Sequence, residues 1–322
     1  MEKVKIIEVG PRDGLQNIDL FVPTNKKIQF IKRLADCGIK EIQIGSFVDP
    51  QAIPQFQDIQ KMVKGLNTLQ DIVLSALIPN IRGAENAASC GIGKFIFFFS
   101  VSHSHNCCNV RQTPQESIEV LKRICQTYLC DPAITIQVAL ATAFGCPFEG
   151  SIKTGDVLRA VDKAVSCGVK EITLCDTVGF GNPQEVEEKF SACRKRFPEI
   201  TFGAHFHNTR GLALANTLRA YETGIRCFDA AAGGLGGCPY APNSSGNAAT
   251  EETVFLFEEM GIKTGIDLKK LLDVCRFLQK TIPQAKITSS LLQAGLPEKH
   301  HYAADNNNKK RRIKCSTAMK QY

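Results

Sequence analysis

Two histidines separated by one residue, in the stretch "AHFHN" at 204–208, are the first residues of this 322-residue chain whose spacing suggests metal chemistry. The chain contains only 6 histidines. His205 and His207 follow the short apolar run "ITFG", which is typical of a strand, and side chains at i and i+2 of a strand point to the same side. The two imidazoles are therefore predicted to face a common centre.

A carboxylate from the N-terminal region can join that centre. The first strand-like run, "VKIIEV", leads into "GPRDGLQN", which places Arg12 and Asp13 in the loop that follows. Two neutral imidazoles with one or two oxygen ligands suit Mg²⁺, Mn²⁺ or Zn²⁺. Because the chain has no C-x-x-C pair, an open site with positions for substrate oxygens is favoured over a closed structural zinc site. The alternative is that the histidines are hydrogen-bonded packing residues.

A second unusual segment, 233–247, carries five glycines together with Pro239 and Pro242. This composition predicts a mobile loop rather than a helix or strand. Cys238 lies within it, between "GG" and "PY". A cysteine on a loop that closes over a site can exchange a proton with the substrate. The alternative is a loop cysteine without a function.

Eight β-rich runs alternate with amphipathic stretches and must position these residues. The strands are predicted at 4–9, 40–46, 71–78, 94–101, 134–141, 170–176, 200–206 and 226–232. Successive strand–helix units predict an α/β fold, a (β/α)8 TIM barrel, in which the C-terminal ends of the strands carry the active site. Extra C-terminal helices follow, one of them capped by Asp267 and another near 284–294. A doubly wound open sheet is the alternative, but the first loop lacks a G-x-G-x-x-G sequence.

The charge distribution separates a body from a tail. We predict one catalytic domain over residues 1–300 and a basic, flexible tail over 301–322. The tail supplies five of the seven net positive charges through Lys309, Lys310, Arg311, Arg312 and Lys314. The body is nearly balanced, so nucleic-acid binding is disfavoured against a solvated terminus.

Composition narrows the class of protein further. Hydrophobic residues make up 43% of the chain and charged residues 22%, which is typical of a globular enzyme. No apolar run reaches the roughly 18–20 residues that a membrane-spanning helix needs. The N-terminus lacks the pattern of a signal or transit peptide, so a cytoplasmic location is expected. The 14 cysteines are scattered and fit reduced packing residues.

Five motifs in order over roughly residues 3–295 give the chain a family resemblance. The motifs "EVGPRDGLQN", "GSFVDP", "CDTVG", "HFHNTRGLALANT" and "GLGGCPYA…SGNAATE" resemble those of the 3-hydroxy-3-methylglutaryl-CoA lyase family. Isopropylmalate, homocitrate and citramalate synthases share the "RDG.Q" and "H.HN" motifs. The "GLGGCPYA" loop is typical of the lyase branch.

The resemblance implies a role for each matching residue. It makes Asp13, His205, His207 and Asn247 the metal ligands, with Arg12 stabilising an enolate oxygen and His205 also counted among the catalytic residues. It makes Asp176 a catalytic acid or base, Cys238 the residue that transfers a proton, and Arg12 and Asn109 residues that bind the substrate. The positions of Gln43, Ser46 and Arg111 at or after the ends of predicted strands complete the predicted substrate-binding set. The resemblance also implies Mg²⁺ or Mn²⁺ as cofactor, a homodimer, and an acyl-CoA substrate cleaved to acetyl-CoA and acetoacetate.

Two departures from the family pattern leave the substrate open. The family has a glutamate where this chain has Gln43, which keeps a hydrogen-bonding oxygen but loses the charge. The segment "VSHSHNCCNVR" at 101–111 replaces the usual sequence and adds His103, His105 and Arg111. Arg111 either pairs with a substrate carboxylate or lies in solvent.

Three functional hypotheses follow. The first is a lyase for hydroxymethylglutaryl-CoA or a related thioester such as citramalyl-CoA. The second is an acyltransferase that condenses acetyl-CoA with a 2-oxo acid, and the Cys238 loop disfavours it. A non-enzymatic barrel that binds nucleic acid through the tail is disfavoured by the ligand set.

Overall fold

The computed structural model describes residues 2–237, 246–285, 287 and 289–297. Eight parallel strands form within these residues and close into a barrel in sequence order, with the first strand paired to the last. The predicted TIM barrel is therefore confirmed. The strands are β1 (Lys5–Glu8), β2 (Glu41–Ser46), β3 (Val73–Ile78), β4 (Lys94–Ser100), β5 (Thr135–Ala141), β6 (Glu171–Asp176), β7 (Thr201–Phe206) and β8 (Cys227–Ala230).

Helices cover the outside of the barrel and follow the strands along the chain. The described α-helices are α1 (Thr24–Asp36), α2 (Ile59–Gly65), α3 (Ile81–Ser89), α4 (His103–Val110), α5 (Pro114–Tyr128), α6 (Thr154–Ser166), α7 (Pro183–Arg196), α8 (Ala213–Glu222), α9 (Thr250–Glu259), α10 (Leu268–Thr281) and α11 (Ser290–Ala294).

Helix α6 illustrates how sequence periodicity builds this outer layer. Its buried residues, Val157, Ala160, Val161 and Ala164, recur at i, i+3, i+4 and i+7, the spacing of one helical face. The main core lies between such faces and the outward-facing side chains of the strands. No helix in the described ranges is long and apolar enough to cross a membrane.

Ion pairs fill the N-terminal end of the barrel interior. Lys94 Nζ lies 2.8 Å from a carboxylate oxygen of Glu41 and 2.7 Å from one of Glu171. Lys5 Nζ lies 2.5 Å from the other oxygen of Glu41. Lys5, Glu41, Lys94 and Glu171 are the first residues of their strands, so these pairs lie at the end of the barrel opposite to His205 and His207.

The structure corrects two predictions about local elements. The segment 103–110, for which the sequence predicts no helix, forms helix α4, whose N-terminus is capped by the Ser102 hydroxyl accepting a 3.1 Å hydrogen bond from His105 N–H. The helix predicted near 284–294 is shorter and spans only Ser290–Ala294. The cap of α10 is as predicted, since the Asp267 side chain accepts from the backbone N–H of Lys270.

Candidate metal centre

Three predicted ligands converge at the C-terminal end of the barrel. Nε2 of His207 lies 3.5 Å from Oδ2 of Asp13, and Nε2 of His205 lies 3.9 Å from the same oxygen. The imidazole centroids are 5.2 Å apart, and all three side chains are buried. One potential ligand atom from each residue lies within 4.8 Å of the other two. The strand geometry inferred from the H-x-H spacing is thus present.

A tight turn after β1 aims Asp13 at this centre. The backbone N–H groups of Arg12, Asp13 and Gly14 all donate to the carbonyl of Val9, at 3.0, 2.7 and 3.3 Å. This single π-helical turn, Gly10–Gly14, is a conformation that recurs at functional sites. Glycine is favoured at position 10, because a Cβ there would lie 2.5 Å from a carboxylate oxygen of Glu8, whose position is held by Ala232 N–H and the Thr250 hydroxyl.

Asn247 joins the centre from the far side of the glycine-rich segment. Its Nδ2 donates to Oδ2 of Asp13 at 2.9 Å and to the carbonyl of Leu235 at 3.0 Å. Two acceptors therefore fix the orientation of the amide. Its Oδ1 is buried and meets no hydrogen-bond donor among the described residues. A carboxylate, two imidazoles and an unsatisfied amide oxygen form a donor set that fits a divalent cation.

A carboxylate that the sequence analysis missed supports His205. Nδ1 of His205 lies 3.2 Å from Oδ2 of Asp229, and both side chains are buried. The register of β7 against β8 places these two residues side by side. A carboxylate on the distal ring nitrogen fixes the tautomer of a metal-binding histidine and raises its basicity. The one sequence feature that could have revealed this role of Asp229 was its position inside a short predicted strand, because a buried carboxylate is costly unless its charge is paired.

Arg12 connects the centre to β2. Its NH1 lies 2.5 Å from Oδ1 of Asp13, and its Nε donates to Oε1 of Gln43 at 2.9 Å. Burial by itself would raise the pKa of Asp13, but the Arg12 guanidinium and the two imidazoles hold that pKa well below its usual range. Asp13 is therefore a carboxylate at neutral pH, as a metal ligand must be.

The centre opens into a cavity of about 700 Å³, within the range of ligand-binding pockets. Helix α4 and the residue after it supply part of one wall, and β5 supplies Gln137 near the bottom. Eight of the predicted site residues line this cavity: Arg12, Asp13, Gln43, Ser46, Asn109, Arg111, His205 and His207. The structure thus brings the predicted substrate-binding and metal-ligating side chains to one place.

Three predicted site residues are absent from this set, namely Asn247, Asp176 and Cys238, although Asn247 still contacts Asp13. Asp176 lies at the end of β6 but is not part of the cavity lining, because its oxygens accept backbone N–H groups of Phe180 at 2.8 Å and Gly181 at 3.0 Å. Burial raises its pKa despite these hydrogen bonds. The acid–base role of Asp176 stays a prediction. Cys238 lies outside the described residues.

Buried carboxylates beneath the glycine-rich segment were also missed. Glu8 accepts N–H groups of Gly10 at 2.8 Å and Ala232 at 3.0 Å, and Glu251 accepts that of Gly233 at 2.9 Å. Burial raises the pKa of Glu8 to about 7. These carboxylates connect the first loop to the start of the glycine-rich segment. Their roles depend on contacts between distant parts of the chain, which composition does not reveal.

Comparisons with known proteins agree with the geometry. The family model described as HMGL-like matches residues 3–278. A hydroxymethylglutaryl-CoA lyase of Bacillus subtilis is 43% identical over 279 residues, covering 87% of this chain and 93% of that protein. An (R)-citramalyl-CoA lyase of Chloroflexus aurantiacus is 38% identical over 88% of this chain and 92% of its own. A solved HMG-CoA lyase of Acinetobacter baumannii, in complex with coenzyme A and 3-methylmalate, superposes with a TM-score of 0.87 at 40% identity, covering 92% of this chain and 96% of that one.

Proposed function

The chain belongs to the HMGL-like family, and we infer that it is a carbon–carbon lyase that cleaves a 3-hydroxyacyl-CoA at the cavity above the barrel. The observation that carries this proposal is the convergence of Asp13, His205 and His207 beside Arg12. Such a site places a position for a divalent metal ion next to the guanidinium of Arg12. Retro-Claisen cleavage needs both, because a hydroxyl must lose its proton while the thioester becomes an enolate.

The proposed cofactor is one divalent cation, with Mg²⁺ or Mn²⁺ favoured over Zn²⁺. Asp13, His205, His207 and Asn247 would hold it, and the unsatisfied Oδ1 of Asn247 supports the fit. A set without thiolate and with two oxygen donors suits harder cations than a structural zinc site does. When bound, the cation acts as a Lewis acid that makes the substrate hydroxyl a stronger acid.

Arg12 is assigned to the developing negative charge of the thioester enolate. Its guanidinium is oriented before substrate arrives, by Asp13 at 2.5 Å and by Gln43 at 2.9 Å. A preoriented cation in a site shielded from water costs little reorganisation during the reaction, and one such donor contributes about 10²–10³-fold in rate in other enzymes. Gln43 thus acts by holding Arg12 in place.

Proton transfer is assigned to the residues that the family resemblance indicates. Cys238 would protonate the enolate carbon to give acetyl-CoA, and the segment 233–247 would exclude water while it does so. Asp176 would accept the proton that the substrate hydroxyl loses and would return it to the thiolate that Cys238 leaves after it protonates the enolate. His205 is better placed as a ligand than as a base, since Nδ1 faces Asp229 and Nε2 faces Asp13. Cys238→Ser should slow turnover without weakening metal binding, and equal turnover would remove the thiol from the reaction.

Hydroxymethylglutaryl-CoA is the first substrate to test, and citramalyl-CoA is the second. A related protein named (R)-citramalyl-CoA lyase, 38% identical, supports the second choice, and so does the neutral Gln43 where the resembled family has a glutamate. Both thioesters carry a hydroxyl on the carbon that becomes a ketone, and their carboxylate arms differ by one methylene. The resemblance further implies a homodimer, which light scattering in solution tests.

The deciding experiment supplies both thioesters to the Mn²⁺- or Mg²⁺-loaded protein and, separately, acetyl-CoA with 2-oxo acids. The lyase proposal expects acetyl-CoA from one of the thioesters, with acetoacetate or pyruvate as the second product. Release of free CoA from acetyl-CoA and a 2-oxo acid, without cleavage of either thioester, would instead identify a condensing enzyme.

A further inference from the structure

The cavity is lined by a second guanidinium, that of Arg111, to which the lyase reaction proposed above gives no role. Arg111 lines the cavity immediately after helix α4. Its side chain has no carboxylate partner among the ion pairs of the described residues, whereas Arg12 is already paired with Asp13. A guanidinium at a ligand-binding cavity without an acidic partner is well suited to bind a carboxylate or phosphate of the ligand.

The backbone of Arg111 strengthens this reading. Its φ is 58° and its ψ 32°, the left-handed conformation, and its N–H donates to the carbonyl of Cys107 at 3.1 Å. Glycine, or less often asparagine, is the usual residue at such a helix end. An arginine there carries a conformational cost, and such costs concentrate at functional positions.

The other charged side chains that line the cavity are few. Asp13 and Asp229 lie at the metal centre, and Asp49 is a rim carboxylate whose oxygen accepts the backbone N–H of Gln51 at 2.9 Å. The bottom contributes Gln137, a neutral amide. No other lysine or arginine lines the described cavity besides Arg12 and Arg111.

We propose that Arg111 is the residue that binds an oxyanion of the substrate, and that it selects thioesters whose acyl group ends in a carboxylate. This proposal rests on the lyase function and names its substrate class. The carboxylate arm of a 3-hydroxyacyl group is the favoured oxyanion, because the cavity that Arg111 lines also contains the metal centre. A phosphate of coenzyme A has the same chemistry, and the test below distinguishes the two.

The test compares Arg111→Asn, Arg111→Lys and the control Arg123→Gln, an arginine on α5 that is exposed to solvent like Arg111 but does not line the cavity. Asparagine accommodates the left-handed backbone, so Arg111→Asn should melt at the same temperature as the wild type or higher. The substrates are the thioesters of 3-hydroxy-3-methylglutarate and of the carboxylate-free 3-hydroxy-3-methylbutyrate. Each acid is joined either to coenzyme A or to N-acetylcysteamine, which lacks phosphate.

For a carboxylate contact, Arg111→Asn should lower kcat/KM for both hydroxymethylglutaryl thioesters about tenfold, mostly through KM, and leave the carboxylate-free pair unchanged. Arg111→Lys should lose less, because it keeps the charge but not the bidentate fork. A loss confined to the coenzyme A thioesters would assign the contact to phosphate and overturn the selection of a carboxylate arm. Behaviour equal to Arg123→Gln, or an equal loss on all four thioesters, would overturn the proposal.

Binding separates this proposal from the lyase function itself. If the wild type cleaves none of these thioesters, calorimetry with free 3-hydroxy-3-methylglutarate and with coenzyme A still reports on Arg111. Weaker binding of either probe by Arg111→Asn than by Arg123→Gln supports the oxyanion contact without catalysis. Equal binding of both probes by the two variants would reject it.

Discussion

Replacing Asp229 with asparagine tests whether a carboxylate behind His205 tunes the metal centre. The hydrogen bond between His205 Nδ1 and Asp229 Oδ2 is 3.2 Å long and buried, with the two residues 5% and 8% exposed. A hydrogen bond to a charged group contributes about 1.5–3 kcal/mol in proteins. Since ~1.4 kcal/mol equals a factor of ten in an equilibrium constant, the variant should bind Mn²⁺ about 10- to 100-fold more weakly, the range seen when such partners of metal ligands are removed.

The size of the loss of Mn²⁺ affinity within this range of about 10- to 100-fold depends on how the new side-chain amide at position 229 is oriented. An amide oxygen facing Nδ1 keeps the hydrogen bond and loses only the charge, which puts the effect near tenfold. An amide NH2 group facing Nδ1 would move the ring proton to Nε2, the nitrogen nearer Asp13, and put the effect near the upper limit.

Isothermal titration of the metal-free protein with Mn²⁺ measures this effect. Asp49→Asn is the matched control, because it changes another cavity carboxylate that contacts only a neighbouring backbone N–H. The control should bind Mn²⁺ within about twofold of wild type, since an exposed carboxylate contributes little. A folded Asp229→Asn protein with wild-type Mn²⁺ affinity would refute the reasoning that this carboxylate supports a metal ligand.

Three further predictions concern the surroundings of the centre. Gln43→Glu places a carboxylate 2.9 Å from Arg12 Nε and should raise hydroxymethylglutaryl-CoA cleavage about tenfold by holding the guanidinium more firmly; a fall in rate would show that the amide is adapted to another thioester. Gly246→Ala puts a Cβ 2.6 Å from the backbone of Gly236, and should weaken Mn²⁺ binding and lower the melting temperature, whereas an unchanged titration would show that the segment adapts. Burial raises the pKa of Glu8 from 4.5 to about 7. As pH rises, the unfolded chain therefore releases the Glu8 proton before the folded chain does. The contribution of protonated Glu8 to the free energy of unfolding is complete below pH 4.5 and is lost as pH rises to 7. Between pH 4.5 and pH 7 the wild type should therefore lose roughly 3 kcal/mol of unfolding free energy that Glu8→Gln does not lose. Urea unfolding at pH 4.5 and pH 7 measures this difference, and the same pH dependence in both proteins would contradict the raised pKa of Glu8.

The barrel and the histidine pair were accessible from sequence because they depend on local periodicity. Each predicted strand combined apolar residues with a turn on both sides, and the H-x-H spacing places two side chains on one face whatever the neighbouring strands are. Helix α4 lacked such a signal, since "HSHNCCNV" has no apolar stripe. It forms through the Ser102 cap and the left-handed Arg111 at its end.

The direction of side chains across strands was less accessible. Asp176 is the last residue of β6 and Asp229 the last but one of β8, yet Asp229 lines the cavity and Asp176 does not. The alternation along β6 places Cys175 and Thr177 toward the cavity and Asp176 away from it. Which of the two alternating sets of residues in a strand faces inward depends on the register between strands, and a single sequence does not specify that register.

Electron spin-echo measurements on the Mn²⁺-loaded protein test the central claim most directly. The proposed centre predicts one bound Mn²⁺ per chain with magnetic coupling to two imidazole nitrogens, and the loss of one coupling in each of His205→Ala and His207→Ala. A bound Mn²⁺ without nitrogen coupling, or couplings that persist when both histidines are replaced, would place the ion elsewhere and contradict the account.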